Sequence, residues 1–396
     1  MTGPHHTAKV WTVAGQAHEI KQLLQGPTRA QPQSALLCIS RDEAASLLGV
    51  PALSTREAVE LAACALRARV CQAVVITGDE AEDYAHTVQA SGWLRSPGGN
   101  AAGGAAVFAA SADYALARGF VAIEAVVLAS MARTDCLGQG GLQARPDFAR
   151  HIANLPHFSL PQATEVCGFA ALSDVDLGLY AVVDSAAWVE RVITAGVRTV
   201  QLRIKNAQAP ERHAFVRKQI RQSVAAATAA GAQLFINDHW QLAIEEGAYG
   251  VHLGQEDLHI ADLAAIRLAG LRLGISTHAY WEVCRAWALQ PSYIACGPIH
   301  PTQAKAMPWV PQGNNNLAYW CALLPAPVVG IAGMDVPRTE QAARAGAAGV
   351  AAISAITAAA SPETAIAQLQ EALRRGRNSP PVTAPLFPKP TLSPTP

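Results

Sequence analysis

The sequence predicts an α/β protein of two domains, in which a C-terminal (β/α)8 (TIM) barrel follows a smaller α/β domain. At 396 residues the chain is long for one domain. From Leu177 onward, short apolar runs alternate with helical segments, the pattern of βαβ units in a parallel sheet. Eight such units in about two hundred residues fit a small barrel, whereas a doubly wound sheet, the alternative, needs fewer strands.

The first domain, residues 1–150, shows its own alternation of strand and helix signals. A glycine-rich stretch, 98–104, stands before the last of its predicted helices. In chain order the elements are a strand and helix over Leu36–Gly49, a helix over Ser54–Arg67 capped by Ser54 or Thr55, a buried strand over Val74–Gly78 and a helix over Ala105–Ala117.

Pro156 and Pro161 interrupt the periodicity that follows, so residues 151–176 are predicted to be a linker and 177–376 the barrel. The barrel strands are near-continuous in apolar residues, as strands buried on both faces must be. They are Gly178–Val183, Thr199–Arg203, Gln233–Ile236, Gly250–Leu253, Leu273–Ser276, Tyr293–Ala295, Val328–Ile331 and Gly349–Ile353. The helices include Ala209–Ala230, Leu258–Ala269, Tyr280–Leu289 and Val336–Ala345.

The remaining composition limits the class of protein. Residues 377–396 are rich in proline and are predicted to be disordered. The 30 basic and 30 acidic residues cancel, which argues against nucleic acid or an anionic membrane as the main partner. None of the eight cysteines forms a C-x-x-C pair, and no secretory signal or spanning apolar run is seen, so a cytoplasmic protein with free thiols is expected. Association between copies is left open.

Polar side chains follow successive strands of the predicted barrel. Gln201, Arg203 and Lys205 close the second strand, Asn237-Asp238 follow the third, and Asp257 follows the fourth. Because barrel enzymes place their sites at the carboxyl ends of the strands, we expect these side chains to meet. The cations suit phosphate oxygens, and the carboxylates are ligands of the kind that Mg²⁺ takes. One such cluster alone would be an ordinary charged strand end, but three favour a site.

The loops after the seventh and eighth strands, Gly330–Met334 and Ile353–Ile356, are typical places for a phosphate in a barrel. Glycine allows the close approach of the backbone that such a site needs. Taken alone, Gly333 could equally well serve only to make a turn.

Six motifs occur in one order along the barrel. They are Val200–Lys205 (VQLRIK), Phe235–Asp238 (FIND), Gly250–Asp257 (GVHLGQED), Gly274–His278 (GISTH), Gly297–Lys305 (GPIHPTQAK) and Ile353–Ile356 (ISAI). With these motifs, residues 177–356 closely resemble the thiamine phosphate synthases. The resemblance implies that 4-amino-2-methyl-5-hydroxymethylpyrimidine diphosphate is joined to a thiazole (2-carboxy-thiazole) phosphate, with Mg²⁺ as cofactor and diphosphate released.

The resemblance also implies roles for individual residues. Arg203 and Lys305 would be catalytic, stabilising the departing diphosphate, while Asp238 and Asp257 would bind Mg²⁺. The pyrimidine diphosphate would be bound by Gln201, Arg203, Lys205, Asn237, Ser276 and Lys305. The thiazole phosphate would be bound by Thr302, Gln303, Ala304, Gly333, Ile353 and Ser354. The chain departs from the family at Ala304, where threonine is usual, so one hydroxyl near the thiazole phosphate is missing.

The first domain resembles the C-terminal half of hydroxymethylpyrimidine phosphate kinase, a ribokinase-like fold, over roughly 36–133. The stretch Ala101–Gly104 lacks the acid, thiol or hydroxyl that the kinase places at its anion hole, so we expect a degenerate, non-catalytic domain. Two other functions stay open: a thiazole tautomerase of the same superfamily, and a non-catalytic ligand-sensing protein. The diphosphate-binding cations argue against the first, and the paired carboxylates against the second.

Overall fold

The structure, a computed structural model, falls into two compact units. One unit contains residues 1–163, 279–285 and 389–396, and the other contains 164–278 and 286–388. The residues that the structure describes are 9–25, 33–78, 82–97, 104–141, 143–159, 167–205, 210–302 and 308–393.

The first unit is built on a mixed sheet of six strands that neighbour each other in chain order. The first three strands are parallel, and the rest continue antiparallel. The strands are β1 (Lys9–Thr12), β2 (Gln33–Ser40), β3 (Cys71–Thr77), β4 (Glu82–His86), β5 (Ser91–Arg95) and β6 (His157–Phe158). The helices are α1 (Val13–Gln25), α2 (Arg41–Leu48), α3 (Arg56–Arg69), α4 (Gly104–Ala117) and α5 (Ala122–Gln139).

The predicted α/β character of this unit is confirmed. The predicted elements correspond to β2, α2, α3, β3 and α4, whereas β1, α1, β4, β5 and α5 were not predicted. Ser40 and Glu43 form a reciprocal capping box at the start of α2, and Thr55, rather than Ser54, caps α3. Of the expected anion-hole stretch, residues 101–103 lie outside the described residues, and Gly104 is the first residue of α4. The likeness to a ribokinase-like domain stays a prediction.

The second unit carries a closed barrel of eight parallel strands in which the last strand pairs with the first. The predicted barrel is confirmed, with strand boundaries within a residue or two. The strands are β7 (Gly178–Val183), β8 (Thr199–Leu202), β9 (Gln233–Asn237), β10 (Gly250–Leu253), β11 (Arg272–Thr277), β12 (Tyr293–Cys296), β13 (Val328–Ile331) and β14 (Gly349–Ala352). The helices that follow β7 in chain order are α6 (Ala186–Thr194), α7 (Pro210–Ala230), α8 (Trp240–Glu245), α9 (Leu263–Leu268), α10 (Tyr280–Ala288), α11 (Gly313–Leu323), α12 (Val336–Arg344), α13 (Ser354–Thr357) and α14 (Pro362–Asn378). Of these, residues 280–285 of α10 belong to the first unit.

One predicted helix is wrong in its extent. Where a helix was expected over Leu258–Ala269, a 3-10 turn at Asp257–His259 is followed by a break and then by α9. The Asp262 side chain accepts a hydrogen bond from the backbone N–H of Ala265 and so starts α9 afresh. No helix in the described part of the chain combines the length and apolar character that a membrane span requires.

Aromatic rings fill the interior of the barrel. Tyr180, Phe235 and Tyr293 are fully buried. Tyr293 packs edge to face with the other two rings, its centroid 4.9 Å from that of Phe235, whereas Tyr180 and Phe235 are tilted at 46°. Two inward-facing glycines leave room for them. A Cβ on Gly274 would overlap the ring of Tyr293, and one on Gly250 would lie 2.7 Å from Phe235. The glycines in these strands therefore serve packing.

The chain just before β7 is joined to the base of the barrel. Leu172 belongs to the barrel core, and the backbone N–H of Ser173 donates to Tyr249 Oη at 2.7 Å. Ser292 Oγ donates to the carbonyl of Ala170 at 2.6 Å. The C-terminal part of the segment predicted to be a linker thus packs with the barrel.

The proline-rich tail also differs from the predicted disorder. Thr391 is buried, and its backbone N–H donates to Glu124 Oε1 at 3.1 Å, as does its hydroxyl. Both residues belong to the first unit. Glu124 has no exposed surface, and Thr391 supplies two of the donors that a buried carboxylate needs.

Candidate active site

Inward-facing positions of successive strands bring several predicted site residues together at the carboxyl-end mouth. In parallel strands paired residues face the same side, and the pairs Gln201 with Phe235 and His252 with Asn237 fix the inward face. Ser276 lies two residues beyond Gly274, on the same inward face of β11. These inward-facing polar side chains therefore lie above the aromatic layer of the barrel, on the side of the mouth.

Asp238 and Asp257 face each other at this mouth. Asp238 directly follows β9 and has a left-handed backbone (φ +63°), with its N–H donating to the carbonyl of His252 at 3.1 Å. Asp257 lies in the turn after β10, and its Oδ2 accepts from the backbone N–H of Gly254 at 3.0 Å. The two loops thus present their carboxylates to one another.

The electrostatics of this pair show how close the two carboxylates are. Partial burial, and then the charge of Asp257 and a hydrogen bond to it, raise the pKa of Asp238 to about 6. The positive charge of Arg203 and a hydrogen bond from Asn237 oppose the rise without cancelling it. The two carboxylates therefore repel one another, and a bound cation would relieve that repulsion.

The donor set fits Mg²⁺. Within the described ranges, no group of three or more His, Cys, Asp or Glu side chains is arranged to hold a metal ion. Two facing carboxylates leave most of an octahedral shell to water and phosphate oxygens. Mg²⁺ is typically held in this way, by one or two carboxylates together with its substrate's phosphates.

The predicted cations are only partly described. Arg203, half-buried just after β8, is close enough to act electrostatically on both Asp238 and His252, and Lys205 is exposed two residues on. The predicted residues Gln303, Ala304 and Lys305 lie outside the described residues. Arg203 is therefore the described cation nearest the carboxylate pair.

A chain of hydrogen bonds runs beneath the mouth and joins two predicted pyrimidine-binding residues. Gln201 Nε2 donates to Tyr180 Oη at 3.3 Å, and the hydroxyls of Tyr180 and Tyr293 are 2.7 Å apart. Tyr293 Oη lies 2.7 Å from His252 Nδ1, and His252 Nε2 lies 2.8 Å from Ser276 Oγ. We call these five residues the buried hydrogen-bond chain.

The histidine of this chain is neutral. Burial, and then the positive charge of Arg203 and the influence of His278, lower the pKa of His252 to about 3. A neutral imidazole donates from one nitrogen and accepts at the other. Tyr180, Tyr293 and His252 were not among the predicted site residues. The signal that could have identified them is the period-two register that turns them inward.

The loop after β13 depends on its glycine. Gly333 has a left-handed backbone (φ +66°), and a Cβ there would lie 2.6 Å from the carbonyl oxygen of Pro301. Arg338 Nη1 donates to the carbonyl of Gly333 at 2.7 Å and holds the loop from α12. Thr302 is half-buried in the loop that Gly333 contacts. Arg338 was not predicted, although its place in the first turn of a predicted helix after this loop was visible.

Ile353 and Ser354 stand where β14 gives way to α13. Ile353 is half-buried and Ser354 is exposed at the first position of this short helix. The predicted thiazole phosphate residues in the described chain therefore come from the loops after β12, β13 and β14, which are neighbours in the barrel.

A further pair at the mouth went unpredicted. The rings of His278 and Trp309 stack with centroids 4.1 Å apart and planes 16° apart. Gln312 Nε2 donates to the carbonyls of His278 and Gly297 at 3.3 and 3.1 Å, tying α11's start to the ends of β11 and β12. This aromatic stack forms part of the rim of the mouth.

The fold and the mouth define the class of protein, a (β/α)8-barrel enzyme whose polar residues gather at the carboxyl ends of its strands. The particular family follows from comparison with known proteins. The chain belongs to the thiamine monophosphate synthase family, which matches residues 179–356. The matched range lies wholly within the barrel.

Two relatives by sequence are named thiamine-phosphate synthase. The thiamine-phosphate synthase of Neisseria meningitidis is 49% identical over 195 residues, which cover 49% of this chain and 93% of that protein. That of Yersinia pestis is 54% identical over 167 residues, covering 41% of this chain and 74% of the relative. A solved thiamine phosphate pyrophosphorylase from Pyrococcus furiosus is 26% identical, covers 51% of this chain and 97% of its own, and has a TM-score of 0.45.

Proposed function

We propose that this protein is a thiamine phosphate synthase. It would condense 4-amino-2-methyl-5-hydroxymethylpyrimidine diphosphate with thiazole phosphate to give thiamine phosphate and diphosphate. With the 2-carboxy form of the thiazole phosphate, the carboxyl group would also leave as carbon dioxide. The observation that carries the proposal is the facing pair Asp238 and Asp257 beside Arg203, at the mouth of a barrel about half identical to proteins named thiamine-phosphate synthase.

The proposed reaction begins with loss of diphosphate. The bond between the pyrimidine methylene carbon and the diphosphate oxygen breaks, and the electron pair leaves with the diphosphate. The resulting pyrimidinylmethyl cation is captured by the lone pair of the thiazole nitrogen, which forms the new C–N bond. This route asks the protein to stabilise charge on the leaving group more than to move a proton.

The charge on the leaving diphosphate would be stabilised by the metal ion and by basic side chains. Mg²⁺ bound to Asp238 and Asp257 would supply positive charge to the diphosphate oxygens. Arg203 and Lys205 would pair with the same oxygens from β8, and Lys305 from the loop after β12. Among the described cations, Arg203 acts on Asp238.

The two rings would be recognised by different sides of the mouth. Gln201, Asn237 and Ser276, on the inward face of β8, β9 and β11, would bind the pyrimidine diphosphate. The thiazole phosphate would lie at the loops after β12 to β14, where Gly333 permits a close approach of the backbone and Thr302, Ile353 and Ser354 stand nearby in the fold. Gln303 and Ala304 are assigned to the same phosphate from the sequence alone.

An assay of the purified full-length chain tests the proposal. We expect thiamine phosphate to form from pyrimidine diphosphate, thiazole phosphate and Mg²⁺, and its formation to stop when EDTA removes the metal. Asp262→Asn is a matched control, because Asp262 caps α9 and lies outside the proposed site. Isomerisation of a carboxy-thiazole phosphate without C–N bond formation would contradict the proposal and indicate a tautomerase.

A further inference from the structure

We infer that Tyr180, Tyr293 and His252 are positioning residues that fix, together, which hydrogen-bonding groups Gln201 and Ser276 offer to the pyrimidine diphosphate. The inference rests on the proposed function for the identity of the ligand. Its physical basis is the buried hydrogen-bond chain, in which each bond is 2.7–3.3 Å long.

The chain is built for its hydrogen bonds and not for packing alone. Phe235 lies in the same layer and contacts both tyrosines, so a ring without a hydroxyl fills this space equally well. Tyr180 and Tyr293 are about 1% and 0% exposed, and a hydroxyl buried without a partner would be costly. Gly274 adds a second sign, since its missing Cβ is what lets Tyr293 reach His252.

The position of each proton gives the buried hydrogen-bond chain a direction. Gln201 Nε2–H donates to Tyr180, so the proton of Tyr180 goes to Tyr293 Oη and that of Tyr293 goes to His252 Nδ1. Because His252 Nδ1 accepts from Tyr293, the ring proton lies on Nε2 and is donated to Ser276 Oγ. The two tyrosine hydroxyls and the N–H of His252 then each donate one hydrogen bond within the buried hydrogen-bond chain.

The two ends of the chain are consequently complementary. Gln201 keeps its carbonyl oxygen, which accepts no hydrogen bond from the described residues, and Ser276 keeps its hydroxyl proton. An aminopyrimidine diphosphate offers N–H donors on its amino group and acceptors on its ring nitrogens and phosphate oxygens. Gln201 accepting and Ser276 donating match that ligand.

Reversing one end would reverse the other. If the Gln201 amide turned its oxygen to Tyr180, each proton of the chain would have to point the opposite way. His252 would then carry its proton on Nδ1, and Ser276 would donate into the chain and have no proton for the ligand. Gln201 and Ser276 are thus coupled through Tyr293 although no hydrogen bond joins them directly.

A double-mutant cycle tests the coupling. Tyr293→Phe should raise the KM for pyrimidine diphosphate roughly three- to tenfold, the loss expected for one neutral hydrogen bond, with kcat and the thiazole phosphate KM within about twofold. Tyr249→Phe is the matched control, because its hydroxyl bonds Gln233 and Ser173 and not the chain. Tyr180→Phe breaks the next link and replaces Tyr293→Phe if that variant does not fold.

The cycle itself uses Gln201→Met and Ser276→Ala. In the parent, the KM of the double variant should differ from the product of the single effects by about threefold or more, and in the Tyr293→Phe background it should equal that product. Multiplicative effects in both backgrounds would overturn the inference while leaving the synthase proposal intact. An inactive parent would instead overturn the proposed function.

Nitrogen-15 NMR of histidine-labelled protein gives a readout that needs no turnover. The protein has 12 histidines, and the His252→Gln spectrum identifies the signal. We expect the Nε2–H tautomer, because Nδ1 accepts from Tyr293 and Nε2 faces Ser276 Oγ. Tyr293→Phe should change the tautomer. An Nδ1–H tautomer or an even mixture in the parent would contradict the proposed direction.

Discussion

At the scale of single residues, Asp238 combines two features that are energetically unfavourable. Its left-handed backbone is one that few residues apart from glycine, asparagine and aspartate adopt readily, and its carboxylate faces that of Asp257. Strain and like charge gathered at one residue are characteristic of functional positions. Asparagine keeps the backbone preference and removes the charge, so it is the substitution that separates the two.

Asp238→Asn and Asp257→Asn should each lower Mg²⁺-dependent synthase activity at least about 100-fold, because each removes one of the two carboxylates proposed to hold the metal. Circular dichroism should show an intact barrel, since neither side chain fills the core. Steady-state assays over a Mg²⁺ titration measure the effect. Parent-like activity and metal dependence in either variant would remove the metal assignment.

The same pair predicts how stability depends on pH in the absence of metal. The pKa of Asp238 is about 6 in the folded chain against an ordinary 3.8, so the folded state holds a proton that the unfolded state releases. The contribution of this proton to the free energy of unfolding is therefore fully present below about pH 4, and it is lost as the pH rises through 6.

Asp238→Asn should remove this loss. Because solvent screens the repulsion, we expect the variant's free energy of unfolding at pH 8 to exceed the parent's by on the order of 1 kcal/mol, or about 2–4 °C in Tm. At pH 4 the two proteins should differ little. Differential scanning calorimetry in EDTA at both pH values measures it. A variant less stable than the parent at pH 8 would show that the carboxylates do not repel each other in the folded protein.

At the scale of elements, the sequence predicts strands better than loops. Each barrel strand is a short apolar run whose ends are marked by glycine or a polar residue, and so the boundaries agree. The break before α9 was missed because the apolar pattern continues through Leu258 and Leu263, while the Asp262 cap is a single residue. Local capping decides such a break, and hydrophobic periodicity does not register it.

Gly333→Ala should weaken both the fold and thiazole phosphate binding. The added Cβ would meet Pro301 and His300 at 2.6 and 2.8 Å in a backbone that already disfavours side chains. We expect a loss of about 2–4 kcal/mol in the free energy of unfolding and a raised thiazole phosphate KM.

Gly313→Ala is the control for this change. Gly313 has nearly the same φ, +67°, but a Cβ there meets nothing within 4 Å. Gly313→Ala should lower the free energy of unfolding by only about 1 kcal/mol, from the backbone conformation alone, and leave the thiazole phosphate KM unchanged. Equal stability losses in the two variants, measured by urea unfolding, would mean that the contact with Pro301 is relieved easily.

At the scale of the whole molecule, the sequence predicts which residues reach the mouth but not what supports them. Gln201 and Ser276 follow from their places at strand ends. Tyr180, Tyr293 and His252 look like ordinary core residues in sequence, because their roles depend on which strands are neighbours in the closed barrel. The tail was mispredicted for a related reason, since composition does not show that Thr391 has a buried partner in Glu124.

A chain that begins at Cys167 should keep synthase activity, because every proposed site residue lies in the second unit. A chain that begins at Leu177 should be less stable, because it lacks Leu172 and the bonds of Ala170 and Ser173 to the barrel base. Comparing Tm and kcat/KM of the two measures this. Loss of activity in the longer of these two truncated chains while it stays folded would show that the first domain takes part in catalysis.

Glu124 makes the first unit sensitive to pH. Burial raises its pKa from 4.5 to about 7, although the hydroxyl and N–H of Thr391 oppose the rise. The folded state therefore binds a proton that the unfolded state gives up, and stability should fall by on the order of 3 kcal/mol as the pH rises from about 4.5 to 7. Hydrogen exchange of the α5 amides reports the local free energy of opening across this range. Glu124→Gln should flatten the profile by removing the titrating group, whereas the exposed Glu57→Gln should leave it unchanged. A profile in Glu124→Gln as steep as the parent's would show that another group controls the pH response of this unit.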